Sequence, residues 1–193
     1  MVEAILVSTG VVAFAELGDK TQLLAILLAA RFRAPLPISL GILVSTAANH
    51  VLAAIVGDLA GARLSEDVLR WILIVSFATM AVWTLLPDRM EGEARAFSRF
   101  GAFGATAISF FLVEMGDKTQ VATLALAARF HSVLFVATGT TLGVMIADVP
   151  AVYLGEIVTK AVPVKWMRLI AAAIFAALAL AAALDWGGRF LYA

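Results

Sequence analysis

Apolar residues run almost unbroken through six stretches of this chain, near 4–30, 37–60, 68–86, 101–128, 132–158 and 165–187. Each is close to or above the roughly 20 residues a helix needs to cross the hydrocarbon of a bilayer. Lipid cannot satisfy backbone N–H and C=O groups, so such runs fold as helices or close into a barrel. These runs do not alternate apolar with polar residues as barrel strands do, so helices are expected. Composition agrees. Hydrophobic residues make up 63% and charged ones only 15%, against about 45–50% and about 25% in soluble domains.

Other classes fall away on the same grounds. Formal net charge is zero, which gives no electrostatic footing for nucleic acid. With no cysteine, disulfides, thiolate metal sites and cysteine nucleophiles are excluded. Ala13-Phe14-Ala15 resembles a leader cleavage site. No Lys or Arg precedes it, however, and a secretory leader begins with a basic segment. The first run is therefore expected to be a membrane span.

The chain also repeats itself. "ELGDKTQ" at 16–22 returns as "EMGDKTQ" at 114–120, and "AARF" at 29–32 returns at 127–130. At the same offset Gly41 matches Gly139, Gly57 matches Gly155, Asp58 matches Glu156 and Phe77 matches Phe175. The expected fold is an all-α integral membrane protein of six transmembrane helices in two three-helix repeats. They cover 1–86 and 101–193, joined by a polar linker at 87–100. An odd number of helices per repeat sends the second half through the membrane in the opposite sense, the inverted plan of many secondary transporters. Lys and Arg accumulate on the cytoplasmic side of a membrane protein. One side here carries Arg31, Arg33, Arg89, Arg95, Arg99, Lys160, Lys165 and Arg168; the other carries Arg63, Arg70, Arg129 and Arg189. The linker is thus expected in the cytoplasm and both termini outside. Trp71, Trp83, Trp166 and Trp186 fall at run ends, where an interfacial aromatic belt is expected.

Charges sit in the middle of the first and fourth runs. If each run is one helix, Glu16, Asp19 and Lys20 share a face, as do Glu114, Asp117 and Lys118. An ionisable group at a membrane helix centre costs about 2.5–3.5 kcal/mol on insertion scales. A structural role would pair Glu16 with Lys20 and Glu114 with Lys118, leaving Asp19 and Asp117 without a cation inside the motif. A functional role makes more of the set. Inverted symmetry brings both motifs together near the midplane. Four carboxylates and two lysines leave two net negative charges, matching one divalent cation. Thr21, Gln22, Thr119 and Gln120 add neutral oxygens, although the glutamines fit interhelical bonding equally well. An all-oxygen set suits Mn²⁺, Ca²⁺ or Mg²⁺ better than Zn²⁺ or Cu⁺. Carboxylates held out of water also bind protons, so cation and proton can compete for one site.

Secondary candidates surround the motifs. Asp148 lies mid-run two residues before Pro150 and reads as a proton relay or an outer ligand. Its repeat partner, His50, reads as a hydrogen-bonded packing residue beside Asn49, a supporting polar group. Asp58 and Glu156 lie near run ends and read as interfacial. A channel could use the same carboxylates, but the lysines oppose free cation conduction. Neither a protease dyad nor a Ser-His pair is visible, so an enzyme is not expected.

"E-L-G-D-K-T" and "E-M-G-D-K-T" resemble the twin E-x-G-D-[KR]-[ST] signatures of the manganese/calcium–proton antiporter family, within the lysine-exporter-like transporters. Both signatures are complete. The resemblance implies divalent cation–proton exchange across the bacterial inner membrane, with Mn²⁺ export the usual role and Ca²⁺/H⁺ exchange the close alternative. It assigns the site to Glu16, Asp19, Lys20, Thr21, Glu114, Asp117, Lys118 and Thr119. Cation and protons are substrates, and no resident cofactor is expected.

Overall fold

The computed structural model describes residues 1–85, 98–154 and 164–184. These residues form eight α-helices: α1 (Val2–Glu16), α2 (Lys20–Phe32), α3 (Pro35–Arg63), α4 (Glu66–Trp83), α5 (Gly101–Glu114), α6 (Lys118–Phe130), α7 (Val133–Leu154) and α8 (Val164–Leu184). A 3-10 turn at Ser98–Phe100 leads into α5. The rest of the linker, with Gly155, Glu156, Lys160, Trp186 and Arg189, lies outside the described residues. The fold is all-helical, and α3 and α7 are long and apolar enough to cross a bilayer.

The first and fourth apolar runs are each two helices, which corrects the expectation of one. The cause is backbone geometry at a glycine. Gly18 has φ +77 and Gly116 φ +79, a left-handed conformation that glycine adopts without a steric penalty. The next residue is extended in both copies: Asp19 (φ −82, ψ 171) and Asp117 (φ −76, ψ 166) start the second helices. Their N–H groups donate back to the Glu16 and Glu114 carbonyls at 3.0 Å. Three residues per break cannot continue a helix, so Glu16, Asp19 and Lys20 do not share a helical face.

Close backbone contacts set the arrangement. On α3, a Cβ added to Gly41 would lie 2.9 Å from the Phe103 carbonyl oxygen, and one on Gly57 would lie 2.1 Å from that of Leu124. Residue numbers on the two sides climb together, so α3 runs parallel to the interrupted α5–α6 pair. On α7, a Cβ at Gly139 would meet the Ile5 oxygen at 2.7 Å, and one at Gly143 the Thr9 oxygen at 2.8 Å. Each half's second span therefore packs along the other half's broken one. Gly41 meets Phe103 and Thr106; Gly139 meets Ile5 and Ser8. These pairs repeat at the sequence offset. Small residues let helices approach this closely. The third elements, α4 and α8, meet through Phe77 and Phe175, both fully buried, with ring centroids 6.4 Å apart.

Polarity is inside out. Leu43, Val44, Leu52, Ile55, Val56, Leu134 and Ile146 are exposed, whereas Glu16, Asp19, Asn49, His50, Glu114, Asp117 and Asp148 are buried. In water the reverse holds: Asp and Glu are almost never fully buried, and large apolar patches are rare. Trp71 and Trp166 are exposed. Asp58, near the end of α3, lies 3.9 Å from His131.

The glycine contacts yield a test. Gly139→Val drives a branched side chain into the α1 backbone and should lower stability by about 1–3 kcal/mol through overpacking. Gly10 has nothing near its Cβ position, so Gly10→Ala should not destabilise. Thermal unfolding of the two variants in detergent separates them; equal midpoints would contradict this packing.

Candidate metal centre

Both helix breaks open onto one buried polar cluster. α1 and α5 bring their C-terminal carbonyl ends, α2 and α6 their N-terminal N–H ends. A helix carries partial negative charge at its C-terminus and partial positive charge at its N-terminus. Four such ends therefore surround the charged side chains.

The lysines pair across the halves rather than within a motif. Lys118 binds Asp19 Oδ1 in a close ion pair, and Lys20 Nζ lies 3.0 Å from Asp117 Oδ1. The purely structural alternative of Glu16–Lys20 and Glu114–Lys118 pairs needs a helical spacing that the breaks remove. Each aspartate that lacked a cation inside its own motif finds it in the other. The two bridges differ in burial: the Lys118 side chain is 4% exposed and the Lys20 side chain 24%.

The neutral residues divide between turn and site. Gln22 and Gln120 accept the N–H of Gly18 (3.1 Å) and Gly116 (2.6 Å) through Oε1. Gln22 also donates to the Ala147 carbonyl on α7 at 3.1 Å. Thr21 donates a short hydrogen bond to Glu16 and lies 3.5 Å from Asp19 Oδ2. Thr119 Oγ1 likewise lies 3.5 Å from Asp117 Oδ2.

Glu16, Asp19 and Asp117 each place a carboxylate oxygen within 4.8 Å of the others, all buried. Glu114 is also fully buried, but α3 engages both of its oxygens. Thr46 donates to Oε1 at 2.6 Å and Asn49 to Oε2 at 3.2 Å. Thr46 was missed from the sequence. Its signal is the spacing Thr46, Asn49, His50, which lines one face of α3. His50 is buried with neither ring nitrogen hydrogen-bonded, and both oxygens of buried Asp148 likewise lack a partner. The hydrogen bond expected of His50 is not formed. Three converging carboxylates can hold a hard cation, with lysines at hand to balance them.

The unequal bridges can be tested. Breaking a buried ion pair from one side costs about 3–5 kcal/mol, whereas exposed pairs contribute about 1 kcal/mol or less. Lys118→Met should therefore destabilise more than Lys20→Met. Adding Asp19→Asn to Lys118→Met should recover stability, because the buried charge is removed with its partner. Unfolding midpoints of the three variants decide it; no recovery in the double variant would refute the pairing.

The profile of the family described as "Divalent cation/proton antiporter GDT1" matches the chain over residues 4–92 and 102–188, one match for each half. A protein of Vibrio cholerae serotype O1 named "Putative manganese exporter" is 47% identical, over 92% of this chain and 88% of the relative. A GDT1-like protein of Synechocystis sp. is 29% identical, over 83% of this chain and 86% of the relative. No solved structure matches. With nearly the whole chain covered by the family profile, this protein belongs to the GDT1 family of divalent cation/proton antiporters.

Proposed function

We propose that this protein exports Mn²⁺ from the cytoplasm in exchange for protons by alternating access. The observation that carries the reading is the convergence of Glu16, Asp19 and Asp117, drawn from both halves, within 4.8 Å at two broken helices. Interrupted helices that meet at a repeat interface are a recurring way for transporters to build an ion site. The name of the Vibrio relative favours Mn²⁺; the oxygen set serves Ca²⁺ equally, and Ca²⁺/H⁺ exchange is the alternative.

In this reading Glu16, Asp19, Glu114 and Asp117 surround the cation, and Thr21, Thr119, Gln22 and Gln120 supply neutral oxygens. Lys20, Lys118, Asn49 and Asp148 support the site and its coupling to protons. Six spans form two inverted repeats in the inner membrane, with the linker cytoplasmic and both termini outside. The two profile matches and the reciprocal bridges, 19 with 118 and 20 with 117, support two related halves. The parallel run of α3 along α5–α6, and of α7 along α1, supports their inversion. The lysine bridges also oppose a freely conducting pore.

Exchange follows from competition. A protonated carboxylate is a poor ligand for a hard cation, so cation binding releases protons. In proteoliposomes, cation should move towards the acid compartment under an imposed pH gradient, with protons moving the other way. Lowering the pH on the binding side should raise the apparent KM for cation. Asp19→Asn and Asp117→Asn should each reduce Mn²⁺ flux at least tenfold while the protein remains folded. Flux that ignores the gradient and moves no protons would remove the antiport reading. Full flux in both variants would remove the carboxylate site.

A further inference from the structure

The two motifs read almost identically, but their surroundings differ. On α3, Thr46 and Asn49 hold both oxygens of Glu114. The repeat offset places Val144 and Ala147 at the corresponding points of α7. Neither side chain can donate a hydrogen bond. Glu16 is the counterpart of Glu114, and its Oε1 has no hydrogen-bond partner. The next residue on α7 differs as well: Asp148 stands where α3 carries His50. On the first motif's side the fold thus removes two donors and adds a carboxylate.

Asp148 is fully buried, and neither of its oxygens has a hydrogen-bond partner among the described residues. Its position is fixed by geometry. Gln22, in the first turn of α2, donates to the carbonyl of Ala147, the residue before it, at 3.1 Å. Glu16, Glu114 and Asp19 are among the charged groups that act on Asp148. Buried polar groups are normally hydrogen-bonded, and buried charges are paired or coordinate metals. A buried carboxylate that has acidic neighbours and no hydrogen-bond partner among the described residues has the character of a cation ligand rather than a packing residue.

We infer that Asp148 is a ligand of the transported divalent cation, and that the cation sits on the first motif's side, among Glu16, Asp19, Asp117 and Asp148. The inference rests on the cation-transport reading and sharpens it. Glu114 already has a donor from α3 on each of its oxygens. The two half-sites are then unequal: in one, α3 supplies donors to the glutamate, and in the other, α7 supplies a carboxylate instead.

The test uses the full chain in detergent, with Mn²⁺ binding followed by loss of the free-ion EPR signal and Ca²⁺ binding by competition. Asp148→Asn should raise the Kd for Mn²⁺ at least tenfold while the cation-free protein keeps its wild-type elution and unfolding midpoint. Asp148→Glu keeps the charge but extends its reach. Because Ca²⁺ takes ligands at longer distance than smaller octahedral cations, this variant should change the Ca²⁺/Mn²⁺ affinity ratio at least threefold, and it carries the test if Asp148→Asn does not fold. Wild-type Mn²⁺ affinity in Asp148→Asn, or an unchanged ratio in Asp148→Glu, overturns the inference alone. A wild-type protein that binds neither cation overturns the transport reading as well.

Discussion

Charge buried in an apolar medium must be balanced locally, and here the balance is struck between the two halves of the chain. Lys118 answers Asp19, and Lys20 answers Asp117. Neither half could bury its own motif at comparable cost, because the helix break turns each lysine away from its own glutamate. The crossed pairs therefore make the halves interdependent. They join there, and α3 and α7 join them again by running along the opposite half's broken span.

Much of this was legible in the sequence. The apolar runs pointed to helices, and the repeated heptapeptide marked the residues that the structure gathers into one buried cluster. Gly41 and Gly139, matched by offset alone, mark equivalent close contacts in the structure. Phe77 and Phe175, matched in the same way, stack on each other.

The breaks were not legible, because an apolar run long enough to span a membrane looks the same whether or not a glycine in its middle takes positive φ. The shared face expected of Glu16, Asp19 and Lys20 is lost with the break, since i,i+4 reasoning holds only within one helix. Residues near in space but far apart in the chain lie beyond that reasoning, as with Thr46 and Glu114. The inequality of the two half-sites was written in the sequence, as Val144 against Thr46 and Asp148 against His50. It became meaningful only when α3 and α7 were seen to occupy corresponding places.

The two glycine turns carry one more consequence. Their φ values nearly coincide, and in each a glutamine side chain closes the turn on the glycine N–H. The backbone around the cluster is thus held by its own hydrogen bonds before any ion arrives. Ordering loops and side chains on binding normally costs affinity, and preorganisation reduces that cost. In the proposed reading, a cation reaching this cluster meets turns whose local backbone is already set, which lowers the ordering cost of binding there.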